Sequence, residues 1–138
     1  ELIASVVSYG NECAFCTAAH TAAADVLLND NTIAEKVKYE PDAAPVSDKM
    51  KSLLTIARAT QKNGKLVTKD MVDEAKAKGA TDMELHDTVL IAALFSLYNR
   101  YVDGLASVTP TDPAFYNRLA NILKDKGYMP SENRYADL

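Results

Sequence analysis

Apolar residues recur along most of this chain at intervals of three and four, which is the spacing of amphipathic helices. Met50, Leu53 and Ile56, for example, share one face of such a segment. The only strand-like alternation, at 65–68, is too short to predict a strand. The pattern therefore predicts an all-α fold class.

Residues that start and stop helices divide this pattern into elements. Two capping boxes, Thr32 with Glu35 and Thr81 with Glu84, each predict a helix N-terminus. The predicted helices lie at 1–9, 12–28, a short stretch from 32, 47–62, 68–79, 81–105 and 112–127.

The segment 81–105 is the longest predicted element, and we expect it to be the core helix. Its apolar run, 88–98, is well short of the roughly 20 residues that a membrane span requires, so we expect it to be buried in the protein. The polar tail 129–138 is expected to be extended. In the last helix, the residues expected to face inward are Leu119, Ile122 and Leu123.

Composition narrows the class of protein. Of the 138 residues, 48% are hydrophobic and 25% are charged, which is typical of a single globular domain over 1–138 and excludes disordered, collagen-like and disulfide-scaffold chains. The net charge is -4, without a cluster of lysines and arginines. We therefore expect neither nucleic acid nor a membrane as a partner.

The start of the chain carries no charged segment followed by an apolar stretch, so no signal peptide is predicted and we expect a cytoplasmic protein. The chain opens on Glu1 inside a helical pattern. We therefore expect that some N-terminal helix of the complete fold is missing from it.

The strongest chemical signal is the spacing of Cys13, Cys16 and His20. Residues three apart on a helix have α-carbons about 5 Å apart, a separation that a disulfide tolerates. His20 lies one turn past Cys16 on the same stripe. The helix pair 1–28 therefore places a base beside two thiols that can open and close a disulfide.

Both cysteines fall in the first turn of the predicted helix, where free amide groups and the positive end of the dipole favour a thiolate. We therefore expect a lowered thiol pKa. Cys13 lies nearest the helix start, so we expect it to be the more accessible of the two to a reducing partner.

Glu1 is predicted to join this group through the turn between the first two helices. If Gly10 and Asn11 turn the first helix back antiparallel to the second, Glu1 and His20 lie equally far from the turn and meet. A carboxylate there would hold one imidazole nitrogen and leave the other for the sulfur atoms.

Three interpretations of the cluster stay open. Two buried cysteines and a core histidine can be neighbours without any chemistry, because cysteine is often fully buried. Cys13, Cys16, His20 and Glu1 could also complete a tetrahedral zinc site, although the sequence offers no second cysteine pair. Reversible dithiol chemistry explains the redox spacing best.

The order Glu1, Cys13, Cys16, His20, with eleven, two and three intervening residues, resembles the active-site signature of the AhpD-like alkyl hydroperoxidases, within the carboxymuconolactone decarboxylase superfamily. The segment 82–105 is similar to the second hallmark segment of the peroxidase-related members. Together the similar segments and the helices between them cover most of 1–105.

The resemblance implies an AhpD-like helical domain, assembly into homo-trimers or homo-hexamers, and reduction of a peroxide substrate by a cysteine pair that an external dithiol recharges, a lipoyl group in the best-known members. It implies that Cys16 attacks, that Cys13 is proton donor and resolving partner, and that Glu1 and His20 form a proton relay. Those members place a second histidine where this chain has Phe15, so a shorter relay is expected here.

We therefore expect an antioxidant oxidoreductase, a thiol-dependent peroxidase with a redox-active disulfide, no cofactor and no bound metal. A carboxymuconolactone decarboxylase-type enzyme that does not use the cysteines, and a non-catalytic metal-binding or structural oligomerisation module, remain as alternatives. Two further expectations concern the 81–105 helix: Arg100 and Asp103 pair on a buried face, and His86 has a structural or interface role.

Overall fold

The computed structural model of the protein describes residues 1–128, and within them the regular structure is entirely helical, as predicted. The extended tail predicted for 129–138 lies outside the described residues. The helices are α1 (Leu2–Gly10), α2 (Ala14–Leu28), α3 (Ile33–Tyr39), α4 (Asp48–Lys62), α5 (Lys69–Ala77), α6 (Asp82–Gly104) and α7 (Pro113–Lys126), with a short 3₁₀ turn at Gly64–Leu66 between α4 and α5.

Side chains start most of these helices where the sequence predicts. The Thr81 hydroxyl accepts a hydrogen bond from the Glu84 amide at 3.1 Å, while the Glu84 carboxylate accepts one from the Thr81 amide at 2.8 Å. This reciprocal pair is the predicted capping box of α6. Side-chain caps also start α4, α5 and α7, from Ser47, Thr68 and Asp112.

The capping box predicted for α3 is wrong. Thr32 has a helical backbone conformation and its side chain makes no cap hydrogen bond. The Asp30 carboxylate instead accepts hydrogen bonds from the Thr32 amide at 2.7 Å and the Ile33 amide at 3.3 Å. An aspartate two residues earlier thus satisfies the free amides that the threonine was expected to cap.

The core forms around α1 and α4, which pack against each other and against α6. Val7, Ala57 and Ala92 meet where these three helices converge, and none is exposed. Ile56 anchors a neighbouring cluster under α5 and the start of α6. The hydrophobic face predicted for α4 is therefore confirmed.

The expectation that the apolar run in α6 is buried is wrong. Among the helices of residues 1–128, α1 and α4 pack most closely against α6, and they cover one side of it, at Leu85, Thr88, Ala92 and Asn99. The opposite side stays open to solvent through most of the apolar run. The large exposed residues there are Val89, Leu90, Leu94, Leu97, Tyr98, Tyr101 and Leu105, which we call the α6 apolar face. No helix among residues 1–128 is long and apolar enough to cross a membrane.

Helix α7 lies against α2. Its buried residues are Tyr116 and Ala120. Of the three residues expected to face inward, Leu119 and Leu123 are partly buried, whereas Ile122 is half exposed. The buried stripe of α7 is centred on Tyr116 and Ala120, and the aromatic residues near the start of the helix pack on α2. The Phe115 and Tyr116 rings lie 6.5 and 6.1 Å from the Phe15 ring, measured between centroids.

Candidate active site

The two cysteines lie at the N-terminal end of α2. Cys13 is the residue that precedes the helix, with extended backbone dihedrals, and Cys16 lies in the first turn. Both are free, and they lie close enough to each other for the Cys16 thiol to raise the pKa of Cys13. The predicted juxtaposition of the two sulfur atoms is therefore present.

Burial changes the acid–base behaviour expected for Cys13. Burial, together with the hydrogen bond to the Cys16 thiol, raises the pKa of Cys13 to about 12. The lowered pKa predicted from the helix dipole is wrong for this residue, because removal from water disfavours the thiolate by more than the dipole favours it.

The predicted accessibility of Cys13 is also wrong. The residue is 0% exposed, whereas Cys16, one turn further into the helix, is 4% exposed. The turn between α1 and α2 folds Cys13 beneath α1, where its amide donates a hydrogen bond to the Ser8 carbonyl at 3.1 Å. Neither thiol is open to a large reductant in this conformation.

The predicted meeting of Glu1 and His20 is confirmed. The Glu1 carboxylate lies 2.7 Å from His20 Nδ1, and both side chains are mostly buried. The imidazole packs edge-on against the Phe95 ring of α6, with centroids 4.4 Å apart. The carboxylate thus occupies Nδ1 and leaves Nε2 as the nitrogen for proton exchange.

Glu1 has a second partner that the sequence does not reveal. The Tyr128 hydroxyl, just past the end of α7, donates a hydrogen bond to the other carboxylate oxygen at 2.6 Å. Burial alone would raise the pKa of Glu1, but the hydrogen bonds from His20 and Tyr128 outweigh it and hold the pKa at about 2. The carboxylate is therefore ionised at neutral pH.

The expected pair of Arg100 and Asp103 is wrong, because both residues lie on the exposed side of α6. Arg100 instead donates a hydrogen bond to the Ser96 carbonyl of its own helix at 2.7 Å. Asp103 instead lies near enough to Cys13 to help raise the pKa of its thiol. A carboxylate from α6 thus joins the site in a place that the sequence did not indicate. His86 is exposed, and its Nδ1 lies 3.0 Å from the Asp87 carboxylate.

A pocket and a larger groove lie along α2. An apolar pocket of about 230 Å³ adjoins Glu1 and is lined also by Ile3, Ala24 and Leu27. A groove of about 680 Å³ follows another side of α2, between α3 and α7, and none of the four predicted site residues lines it. Within residues 1–128, no group of three or more His, Cys, Asp and Glu side chains has an arrangement that could hold a metal ion.

Solved structures with the same helical arrangement were found. An uncharacterized peroxidase-related protein from Silicibacter sp. TM1040 superimposes with a TM-score of 0.75 at 23% identity, over 84% of this chain and 59% of that one. An uncharacterized peroxidase-related protein from Ralstonia eutropha JMP134, described as an alkylhydroperoxidase AhpD core, gives a TM-score of 0.76 at 21% identity, over 86% of this chain and 61% of that one. The fold is AhpD-like. This chain spans about 60% of the length of these AhpD-like structures.

No family model matches the chain, and no curated protein sequence matches it. At this identity the AhpD-like structures establish the fold alone, and the chemistry of the site is argued from its own residues.

Proposed function

We propose that this protein is a thiol-dependent peroxidase that reduces organic hydroperoxides with Cys13 and Cys16. The observation that carries the proposal is the closeness of Cys13 and Cys16, three residues apart at the start of α2. The paired residues Glu1 and His20 belong to the same two helices, with Glu1 at the start of α1 and His20 one turn past Cys16 in α2. The AhpD-like fold, shared with two peroxidase-related proteins, agrees with this proposal.

The proposed reaction has three steps. The Cys16 thiolate attacks the terminal oxygen of the hydroperoxide, the O–O bond breaks, and the leaving alkoxide takes a proton to give an alcohol while Cys16 becomes a sulfenic acid. Cys13 then attacks the Cys16 sulfur, and the sulfenic hydroxyl leaves with the Cys13 proton as water. An external dithiol finally reduces the resulting disulfide and is itself oxidised to a disulfide.

The proposed role of His20 is to exchange protons with the Cys16 thiol and with the leaving alkoxide. The residue lies one helical turn past Cys16. Glu1, held ionised by its two hydrogen bonds, fixes the ring through Nδ1 so that Nε2 takes the proton from the attacking thiol and returns it to the leaving alkoxide. Tyr128 would assist by keeping the carboxylate in place.

The burial of the cysteines has a consequence for the last step. A hydroperoxide head group is small, and Cys16 retains a 4% exposed fraction, but a dithiol must reach a disulfide that includes the fully buried Cys13. Recharging therefore requires a movement at the start of α2. We further propose that the reductant is a slender arm of the lipoyl type, and that the protein works in a reducing compartment, the cytoplasm.

We also propose that the protein is a homo-oligomer, a trimer or a hexamer, assembled through the α6 apolar face. Contiguous exposed apolar residues of this extent commonly mark protein–protein contacts. Leu97→Asp should lower the mass measured by sedimentation, whereas Leu66→Asp, at another exposed leucine, should not. An unchanged mass for Leu97→Asp would contradict this part of the proposal.

The function is tested by following an organic hydroperoxide, such as cumene hydroperoxide, mixed with fully reduced protein. We expect one peroxide consumed per chain and a loss of two titratable thiols. Cys16→Ser should abolish consumption, and Cys13→Ser should leave a sulfenic acid on Cys16 that dimedone captures. A constant thiol titre in the wild-type protein would refute the proposal.

A purely structural role for the cysteines is the second candidate, and the complete burial of Cys13 favours it. In that case the variant with both cysteines changed to alanine would lose stability while wild-type protein consumed no peroxide. The hydroperoxide assay therefore separates the two candidates.

A further inference from the structure

The turn that precedes Cys13 has an unfavourable backbone conformation at one residue. Glu12 lies between α1 and α2. Its φ of 61° is in the left-handed region, which residues other than glycine and asparagine rarely adopt. Such a conformation persists only where the surroundings enforce it. The position of Cys13, the next residue, therefore depends on whatever holds this turn.

Asn99 of α6 forms hydrogen bonds to two residues that lead into the turn, Ser8 and Asn11. Its Oδ1 accepts a hydrogen bond from Asn11 Nδ2 at 2.9 Å, and its Nδ2 donates one to the Ser8 hydroxyl at 3.0 Å. Asn99 is 1% exposed and Ser8 is 0% exposed. A buried amide of this kind is expensive to leave unpaired, so its two bonds fix where the turn lies relative to α6.

Gln61 of α4 also forms hydrogen bonds to the turn. Its amide nitrogen donates to Asn11 Oδ1 at 2.7 Å and to the Gly10 carbonyl at 3.1 Å. Asn11 therefore receives a bond from α4 and gives one to α6, and the turn is held between two core helices. The Ser8 carbonyl, next to the hydroxyl that Asn99 binds, also accepts the amide hydrogen of Cys13 itself at 3.1 Å.

We propose that Asn99 is a positioning residue, which holds the turn before Cys13 so that the Cys13 thiol stays within reach of Cys16. Neither Asn99 nor Gln61 touches the sulfur atoms in this scheme; both act through Asn11, Ser8 and the backbone. Restricting where one thiol lies raises its effective concentration at the other, which favours disulfide formation. This inference rests on the proposed dithiol chemistry, and it adds residues that decide how readily the disulfide closes.

The test measures the equilibrium between the dithiol and disulfide forms against mixtures of reduced and oxidised dithiothreitol, with the two forms quantified by mass spectrometry after thiol alkylation. The reagent is the redox partner, so no peroxide is needed. Asn99→Leu should lower the equilibrium constant for forming the disulfide about tenfold. Gln61→Ala, at a partly exposed site where folding is less at risk, should lower it several-fold.

Thr88 provides the matched control. It is also buried on α6, at 1% exposed, but within residues 1–128 its hydroxyl bonds only to the Glu84 carbonyl of its own helix. Thr88→Val should leave the equilibrium constant unchanged within about twofold, although it removes a buried hydrogen bond of similar strength.

The outcomes separate this inference from the proposed function. If the wild-type protein forms the disulfide and both network variants shift the constant while Thr88→Val does not, the positioning role is supported. If the wild-type protein forms the disulfide and neither Asn99→Leu nor Gln61→Ala lowers the constant, the positioning role is overturned and the dithiol chemistry stands. If the wild-type protein forms no disulfide at any ratio, the proposed function itself fails, and the positioning role falls with it.

Discussion

Replacing Glu1 by glutamine removes one charge from the candidate relay and leaves its shape nearly unchanged. The carboxylate accepts hydrogen bonds from His20 at 2.7 Å and from Tyr128 at 2.6 Å. A neutral amide of the same size keeps one oxygen acceptor but loses the charge that strengthens both bonds. The change should therefore weaken the contact between the start of α1 and the middle of α2.

The expected loss of stability follows from the pKa of Glu1, which the folded protein lowers from an ordinary value of 4.5 to about 2. Each tenfold change in an ionisation constant is worth about 1.4 kcal/mol, so the upper limit is about 3 kcal/mol. The carboxylate is partly open to solvent, and screening reduces this figure to about 1–2 kcal/mol. We therefore expect Glu1→Gln to lower the free energy of unfolding at pH 7 by that amount.

The pH dependence of the difference provides the decisive assay. A carboxyl group with a lowered pKa contributes its stability fully above its unfolded value and loses it as the pH falls through its folded value. In urea unfolding at a series of pH values, the gap between wild type and Glu1→Gln should be largest above pH 4.5 and should close toward pH 2. Glu40→Gln, at an exposed site, is the control and should show little difference at any pH.

A gap between wild type and Glu1→Gln that stays constant from pH 7 to pH 2 would refute this reasoning. It would mean that the variant acts through packing alone, and that the charge on Glu1 contributes nothing to its contacts with His20 and Tyr128.

Three further predictions concern separate parts of the fold. Thr81→Ala should lower the free energy of unfolding by about 1 kcal/mol in urea, whereas Thr32→Ala, which removes no side-chain cap, should have little effect; equal losses would contradict the assigned caps. Asp103→Asn should lower the pKa of Cys13, seen in a pH titration of the thiolate absorbance; an unchanged pKa would contradict the effect assigned to Asp103. Ile56→Ala should cost about 2–5 kcal/mol by thermal unfolding, because the residue is 0% exposed, and a loss below 1 kcal/mol would contradict its place in the core.

The parts of the structure that the sequence predicts are those set by neighbours along the chain. Ser47 and Thr81 start helices because their side chains reach amides three residues away. The contact between Glu1 and His20 also follows from local geometry, since two helices joined by a tight turn bring together residues equally far from it.

The parts that the sequence missed depend on residues far apart in the chain. The raised pKa of Cys13 arises mainly from burial under α1, then from Cys16 and from Asp103, which lies in α6, 90 positions later in the chain. Tyr128 reaches Glu1 from the opposite end of the described chain, with no local pattern to indicate it. The sequence predicts that the α6 apolar face is buried, because an apolar run does not reveal which side of the helix other helices will cover.

The most direct test of the central claim is the mass of the peptide that contains Cys13 and Cys16, measured before and after fully reduced protein meets one equivalent of hydroperoxide. Formation of a disulfide between the two sulfur atoms removes two hydrogens, so a loss of about 2 Da is predicted for that peptide, reversed by a dithiol. A peptide of unchanged mass, or one that gains only oxygen atoms and never closes the disulfide, would contradict the account.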